Sequence, residues 1–209
     1  MKENESGNRI RDINFGAVIV ASPIDETLMA GGVILLHPEA RWSVVSLCGR
    51  EKRGIAEKYV RALERLGAWG QMGGFTEDED SLPTQFKLQN NIMALLQSER
   101  FDVIITHSLW GEYRSNGMVE LISKTVLSLI KTGRLKAKQV WQFAYEGEQE
   151  DYVMKPAIEA DICMDLTDEI RKQKYSILTE IYGIDLKSVP RQESFWLLGK
   201  KRGVGKYEG

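Results

Sequence analysis

The chain has 209 residues, with 28 Lys and Arg against 30 Asp and Glu for a formal net charge of −2, and 43% of its residues are hydrophobic. That is the profile of one soluble globular domain, large enough to bury a full core without disulfide or metal staples. Near-neutral charge with no long basic stripe argues against nucleic acid as a main partner. No apolar run approaches the roughly 20 residues that cross a bilayer.

Residues 1–14 read as a polar tail without the apolar core and cleavage site of a secretion signal, so nothing there directs export. Ala17 to Ala21 is a β-branched run closed by Ser22 and Pro23, the pattern of a strand buried on both faces. Asp25, Glu26 and Thr27 suit the first turn of a helix whose apolar face continues to Leu36. Gly31 and Gly32 inside that helix cost roughly 1 kcal/mol each relative to alanine, which predicts a close backbone approach there.

Trp42 to Cys48 predicts a second strand, and Tyr59, Leu63 and Leu66 repeat at helical spacing over Ile55 to Leu66, with Gly67 as the C-terminal stop. Gly70 to Ser81, rich in glycine and acids, is expected to be a surface loop. Gln85 to Gln97 predicts a helix with Phe86, Ile92, Met93 and Leu96 inward, and Asp102 to His107 the next strand. Leu109 to Gly117 reads as an irregular loop, Val119 to Ile130 as a helix halted by Gly133, and Val140 to Ala144 as a strand. Beyond Tyr145 the pattern becomes a charged loop, a short apolar run at Ile162 to Met164, a helix from Thr167 to Tyr182 and a last strand at Ser194 to Leu198. Alternating strands and helices predict an α/β fold, Rossmann-like and doubly wound, with a mostly parallel sheet covered on both faces. One domain spans 15–199, between the tail at 1–14 and a basic tail at 200–209 containing Lys200, Lys201, Arg202 and Lys206.

In such a sheet, ligands bind beyond the carboxyl ends of the strands, where neighbouring crossovers leave to opposite faces. The rule selects the loop after the first strand, Ser22 to Thr27, and the loop after the Asp102 to His107 strand, up to Met118. They hold Asp25, Glu26, His107 and Glu112, the candidate catalytic groups. Trp69 and Trp110 are expected at the same face, where an indole stacks on a sugar or base, and the run Glu77 to Asp80 reads as a solvated acidic loop. Cys48 and Cys163 lie in apolar runs far apart and read as buried thiols of a reducing cytoplasm.

These loops carry a resemblance. Val20 to Gly32, VASPIDETLMAGG, is similar to the first motif of the PIG-L/LmbE-like sugar N-deacetylases, which reads A-H-P-D-D-E with two glycines beyond it. Thr106 to Met118, THSLWGEYRSNGM, resembles their T-H-x(3)-G-E-Y-G-H-P-x-H loop, and DLTDEIRKQKYSIL with ESFWLL resembles their C-terminal helix and closing strand. The resemblance implies a zinc hydrolase that removes acetyl groups from N-acetylglucosamine-type substrates. There zinc, held by two histidines and an aspartate, activates a water whose proton passes to a second aspartate. Carried over residue by residue, the first-motif histidine falls on Ser22, the base on Ile24, and the loop histidines on Ser115 and Met118. Asp25 alone keeps a ligand position. Hydroxyl and thioether are poor substitutes for imidazole at zinc, so no metal and no cofactor are expected. His37, the other histidine of the chain, reads as lying on the far side of the sheet.

The expected pocket is Ser22, Ile24, Asp25, Trp110, Tyr113, Ser115 and Met118, taking a neutral, sugar-like small molecule or a protein partner in a cytoplasmic, non-catalytic protein. The alternative is an active hydrolase or N-deacetylase of a sugar-containing molecule with an altered metal site.

Overall fold

The computed structural model describes residues 13–109, 116–148 and 153–200. Its first strand, β1 (Phe15–Val20), is an apolar run buried on both faces, as a central parallel strand requires. It pairs in parallel with β2 (Arg41–Cys48) on one side and β4 (Arg100–Thr106) on the other. Beyond β2 lies β3 (Trp69–Phe75), and beyond β4 lies β5 (Lys136–Phe143), both parallel. Two antiparallel strands, β9 (Gln192–Leu197) and then β8 (Ile162–Asp165), complete a seven-stranded sheet of order β3-β2-β1-β4-β5-β9-β8. This is the doubly wound α/β arrangement, with its order reversing between β1 and β4.

Helices α1 (Asp25–Leu36), α2 (Ile55–Leu66) and α5 (Asp168–Ser176) share one face, where Met29, Val33, Tyr59 and Leu63 meet Val18, Val20 and Val44. Helices α3 (Gln85–Leu95) and α4 (Gly117–Lys131) cover the other, where Leu88, Ile92, Ile122 and Val126 meet Ile19, Val45 and Ile104. Local signals set the helix ends. Gly67 closes α2 in the left-handed conformation at φ 69°, and Asn116 caps α4 by accepting from the Val119 N–H at 2.9 Å.

Helix α1 has no solvent face through most of its length, and Glu193 of β9 reaches into its middle. Glu193 Oε1 accepts from the Gly32 N–H at 2.7 Å and from Lys174 Nζ at 2.6 Å, and Oε2 accepts from the Val33 N–H at 2.8 Å. A Cβ on Gly32 would sit 2.5 Å from a Leu166 methyl and 2.9 Å from the Glu193 carboxyl carbon. The close approach expected of both glycines with a neighbouring loop's backbone occurs at Gly32 alone and is made by side chains, those of Leu166 and the buried Glu193 carboxylate.

Several expectations need correction. Gly70 to Ser81 is not all loop: β3 is an edge strand, admitted because Gly70 and Gly73 pass so near β2 that a Cβ would lie 2.4 Å from the Val44 carbonyl and 2.6 Å from that of Leu47. The charged stretch after Tyr145 contains an antiparallel pair, β6 (Tyr145–Glu148) and β7 (Val153–Pro156). Phe86 is 68% exposed rather than inward, because Leu88, Ile92 and Leu96 define the buried stripe of α3. Cys48 is buried as expected, but Cys163 is only partly covered, since β8 is an edge strand with a neighbour on one side. The last helix ends as a π-helical segment, Ile177–Tyr182, closed by Gly183 at φ 77°. Among the described residues, no helix is long and apolar enough to cross a membrane.

Candidate functional site

The loops after β1 and β4 meet where the strand order reverses, and a hydrogen bond joins them: the Ala21 N–H donates to His107 Nε2 at 2.8 Å. Accepting this bond leaves Nε2 without a proton. The Asp25 carboxylate, 3.9 Å away at Oδ2, is therefore a neighbour of a ring acceptor rather than the partner of an imidazolium. His107 is buried, edge-on to Phe143 with centroids 5.5 Å apart, and its carbonyl accepts from Gln142 Nε2 at 3.2 Å. Ser123 Oγ accepts a second bond from that amide at 3.1 Å, fixing Gln142 beneath the loop.

The turn into α1 is strained. Ile24 adopts φ 103° and ψ −40°, a region that a β-branched residue rarely enters. Its N–H donates to Glu26 Oε2 at 2.8 Å, while Glu26 Oε1 accepts from the Thr27 hydroxyl at 2.8 Å and the Tyr182 hydroxyl at 2.7 Å. Burial raises the Glu26 pKa above the ordinary carboxylate value, against the lowering effect of those donors. Burial and the nearby Glu26 likewise push the Tyr182 and Tyr59 phenols up. Asp25 Oδ2 accepts from the Ser22 N–H at 3.1 Å, so the strained turn aims Asp25 back toward the end of β1.

A third segment enters from β3. Glu77 accepts from the Ser22 hydroxyl through Oε1 and from Asn116 Nδ2 at 3.3 Å through Oε2. Glu79 Oε1 accepts from the Gly117 N–H at 3.2 Å, so the acidic segment straps the β1 loop to the amino end of α4. Glu77 is thus part of the site and not simply one acid of a solvated run. Its signal is positional: once β3 is seen as a parallel strand, the loop at its carboxyl end falls beside the point of reversal. Tyr182, Tyr59 and Asn116 carry no local signal of that kind.

The structure brings Ser22, Ile24, Asp25, Glu26 and His107 together. Met118 is wholly buried in the α3 and α4 core. Trp110, Glu112, Tyr113 and Ser115 lie outside the described residues, as do Lys201, Arg202 and Lys206. Trp69 is placed elsewhere: it opens β3 and pairs with Ser43, toward the amino ends of the strands and away from the site. His37 follows α1, its Nδ1–H donating to the Val33 carbonyl at 2.9 Å. The described residues at the positions of the zinc motif do not fit a zinc ion: the Ser22 hydroxyl is bonded to Glu77, the His107 Nε2 lone pair is taken by Ala21, and a thioether lies in the apolar core. Among the described residues no group of three or more His, Cys, Asp or Glu is arranged to hold a metal.

No family model matches the chain, and no curated protein matches it in sequence. Solved structures do match it in fold. The N,N'-diacetylchitobiose deacetylase of Pyrococcus horikoshii superposes with a TM-score of 0.67 at 12% identity, covering 94% of this chain and 88% of its own. The 4-carboxy-2-hydroxymuconate hydratase of Pseudomonas putida gives 0.58 at 17% identity, covering 92% and 99%. A teicoplanin deacetylase in its zinc-inhibited form gives 0.58 at 13% identity, covering 81% and 84%.

Proposed function

We propose that this chain, which has the fold of the PIG-L/LmbE-type deacetylases, is a non-catalytic binding or interaction protein whose strand-end site takes a neutral, sugar-like small molecule or a protein partner. Two deacetylases and a hydratase share the fold, so the fold by itself assigns no reaction. The observation that carries the reading is what stands at the motif positions. Ser22 is tied to Glu77, Ile24 has no group to accept a proton, and Met118 is packed into the core. The carboxylates that remain are engaged internally: Asp25 by the Ser22 N–H, and Glu77 by Ser22 and Asn116. A neutral ligand adds no uncompensated charge beside them. A cytoplasmic location accords with Cys48 and Cys163 being thiols.

The test is a thermal-shift panel of neutral sugars, including N-acetylglucosamine and its β-linked dimer, combined with elemental analysis and an assay of released acetate. The expected outcome is a saturable shift with one or more sugars and no acetate. One zinc per chain, lost on Asp25→Asn and accompanied by acetate release, overturns the reading in favour of the active hydrolase.

A further inference from the structure

At the far end of the sheet, beside the amino ends of β1, β2 and β3, a cavity of about 650 Å³ opens. Strand register explains part of its lining, which Ala40, Trp42 and Ala68 of the opposite face complete. Phe15 pairs with Arg41, and Ser43 pairs with both Ala17 and Trp69. Ala17, Ile19, Val45 and Leu47 point into the α3 and α4 core, so alternation sets Phe15, Arg41, Ser43 and Trp69 on that same face. Gln97, in the turn after α3, closes the rim.

Three features distinguish this cavity from a surface irregularity. Its volume lies in the ordinary range for small-molecule sites, roughly 300–1,000 Å³. Ser43 is 2% exposed, and among the described residues its hydroxyl has no hydrogen-bond partner, a rare state for a buried polar group. Among the described residues the lining contains a cation, Arg41, and no carboxylate, while Trp69 at 41% exposure presents an indole at the edge strand.

We infer that this cavity is a second ligand site, independent of the strand-end site, and that it takes a small aromatic carboxylate. The ring stacks on the Trp69 indole, the carboxylate meets the Arg41 guanidinium, and a ring hydroxyl supplies the missing partner of Ser43. The Ser43 hydroxyl is sealed from water, so binding includes a side-chain movement that uncovers it, assigned here to Trp69, the register partner of Ser43 on β3. An unfilled Ser43 also predicts that its removal stabilises the empty protein.

The probe is 4-hydroxybenzoate, titrated calorimetrically into the full chain. Saturable one-site binding is expected. Arg41→Gln weakens it about 10-fold or more, as loss of a charge-assisted hydrogen bond does. Arg41 is exposed, so this variant keeps its fold. Trp69→Ala also abolishes or strongly weakens binding. Ser43→Ala weakens binding several-fold yet raises the melting temperature of the unliganded protein by about 2–4 °C, because it deletes an unsatisfied group. 4-Hydroxybenzyl alcohol, which lacks the carboxylate, does not bind. Absence of saturable binding at about 10 mM overturns the inference. So does binding that Arg41→Gln and Trp69→Ala leave intact, or binding abolished by Asp25→Asn, which would move the ligand to the strand-end site.

Discussion

Ile24 keeps a β-branched side chain at positive φ, a conformation that costs about 1–3 kcal/mol and persists only where its surroundings over-determine it. Glu26 does so by holding the Ile24 N–H and anchoring itself to Thr27 and Tyr182. Burial raises the Glu26 pKa, so the protonated form is the one folding favours. Its contribution to stability is whole below the unfolded carboxylate range and is lost as pH rises through the folded value. Glutamine has the same shape and cannot titrate. In urea melts, Glu26→Gln is therefore expected to match the parent at low pH and to exceed it increasingly as pH rises. A difference independent of pH would show that Glu26 does not titrate in that window. Glu26→Ala, which strands the Ile24 N–H and two hydroxyls, should cost about 3 kcal/mol or more at every pH.

Helix α1 tests the same logic at the level of an element. A Cβ at Gly31 meets its nearest neighbours at 3.5 Å, ordinary contact, whereas at Gly32 it meets Leu166 at 2.5 Å. Gly31→Ala should therefore stabilise by up to about 1 kcal/mol through helix propensity. Gly32→Ala should destabilise by about 2–3 kcal/mol by displacing Leu166 and Glu193. Thermal melts of the two variants should move in opposite directions. At the amino ends of β1, β4 and β5, Asp102 accepts from the Asn14 and Phe15 N–H groups at 2.9 Å each and pairs with Lys138 at 2.7 Å. Lys138 and these donors lower its pKa, so this clamp stabilises above the unfolded carboxylate range and fails as pH falls through the folded value. Asp102→Asn should lose about 1–3 kcal/mol at neutral pH and converge on the parent in acid, read by denaturation at both ends. What the sequence made legible follows the range of the forces involved. Helix α2, with its apolar spacing and Gly67 stop, is specified within its own residues, and its sequence pattern marks the same bounds as the structure. Strand β3 looks like loop in sequence because its glycines make sense only against the Val44 and Leu47 carbonyls of β2. At the candidate site, sheet topology alone places the loops of Ser22, Asp25 and His107 together, whereas Glu77 reads in sequence only as one acid of a solvated run, because its partners come from two other segments.

Taken whole, the molecule is a five-stranded parallel core extended through two antiparallel pairings, with Ser22 and Met118, groups that zinc binds poorly, at two of the motif positions beside Asp25. Purified protein is expected to carry far less than one zinc per chain, and a chelator should leave its melting temperature unchanged. A resident ion held at a thousandfold excess over its Kd would add about 4 kcal/mol, a shift no melt would miss. The reach of Glu193 to Gly32 has a different consequence, in time rather than in space. The two residues are 161 positions apart, and Tyr182 is 156 from Glu26. Contacts so distant in sequence slow folding, because loop closure must precede them. On the ribosome, α1 emerges before β9 and the π-helical segment, so the bonds from Gly32 and Val33 to Glu193 and from Tyr182 to Glu26 are among the last to form. Until then the burial of α1 is incomplete, and a nascent chain halted before residue 182 is the form that should engage a holdase chaperone most strongly.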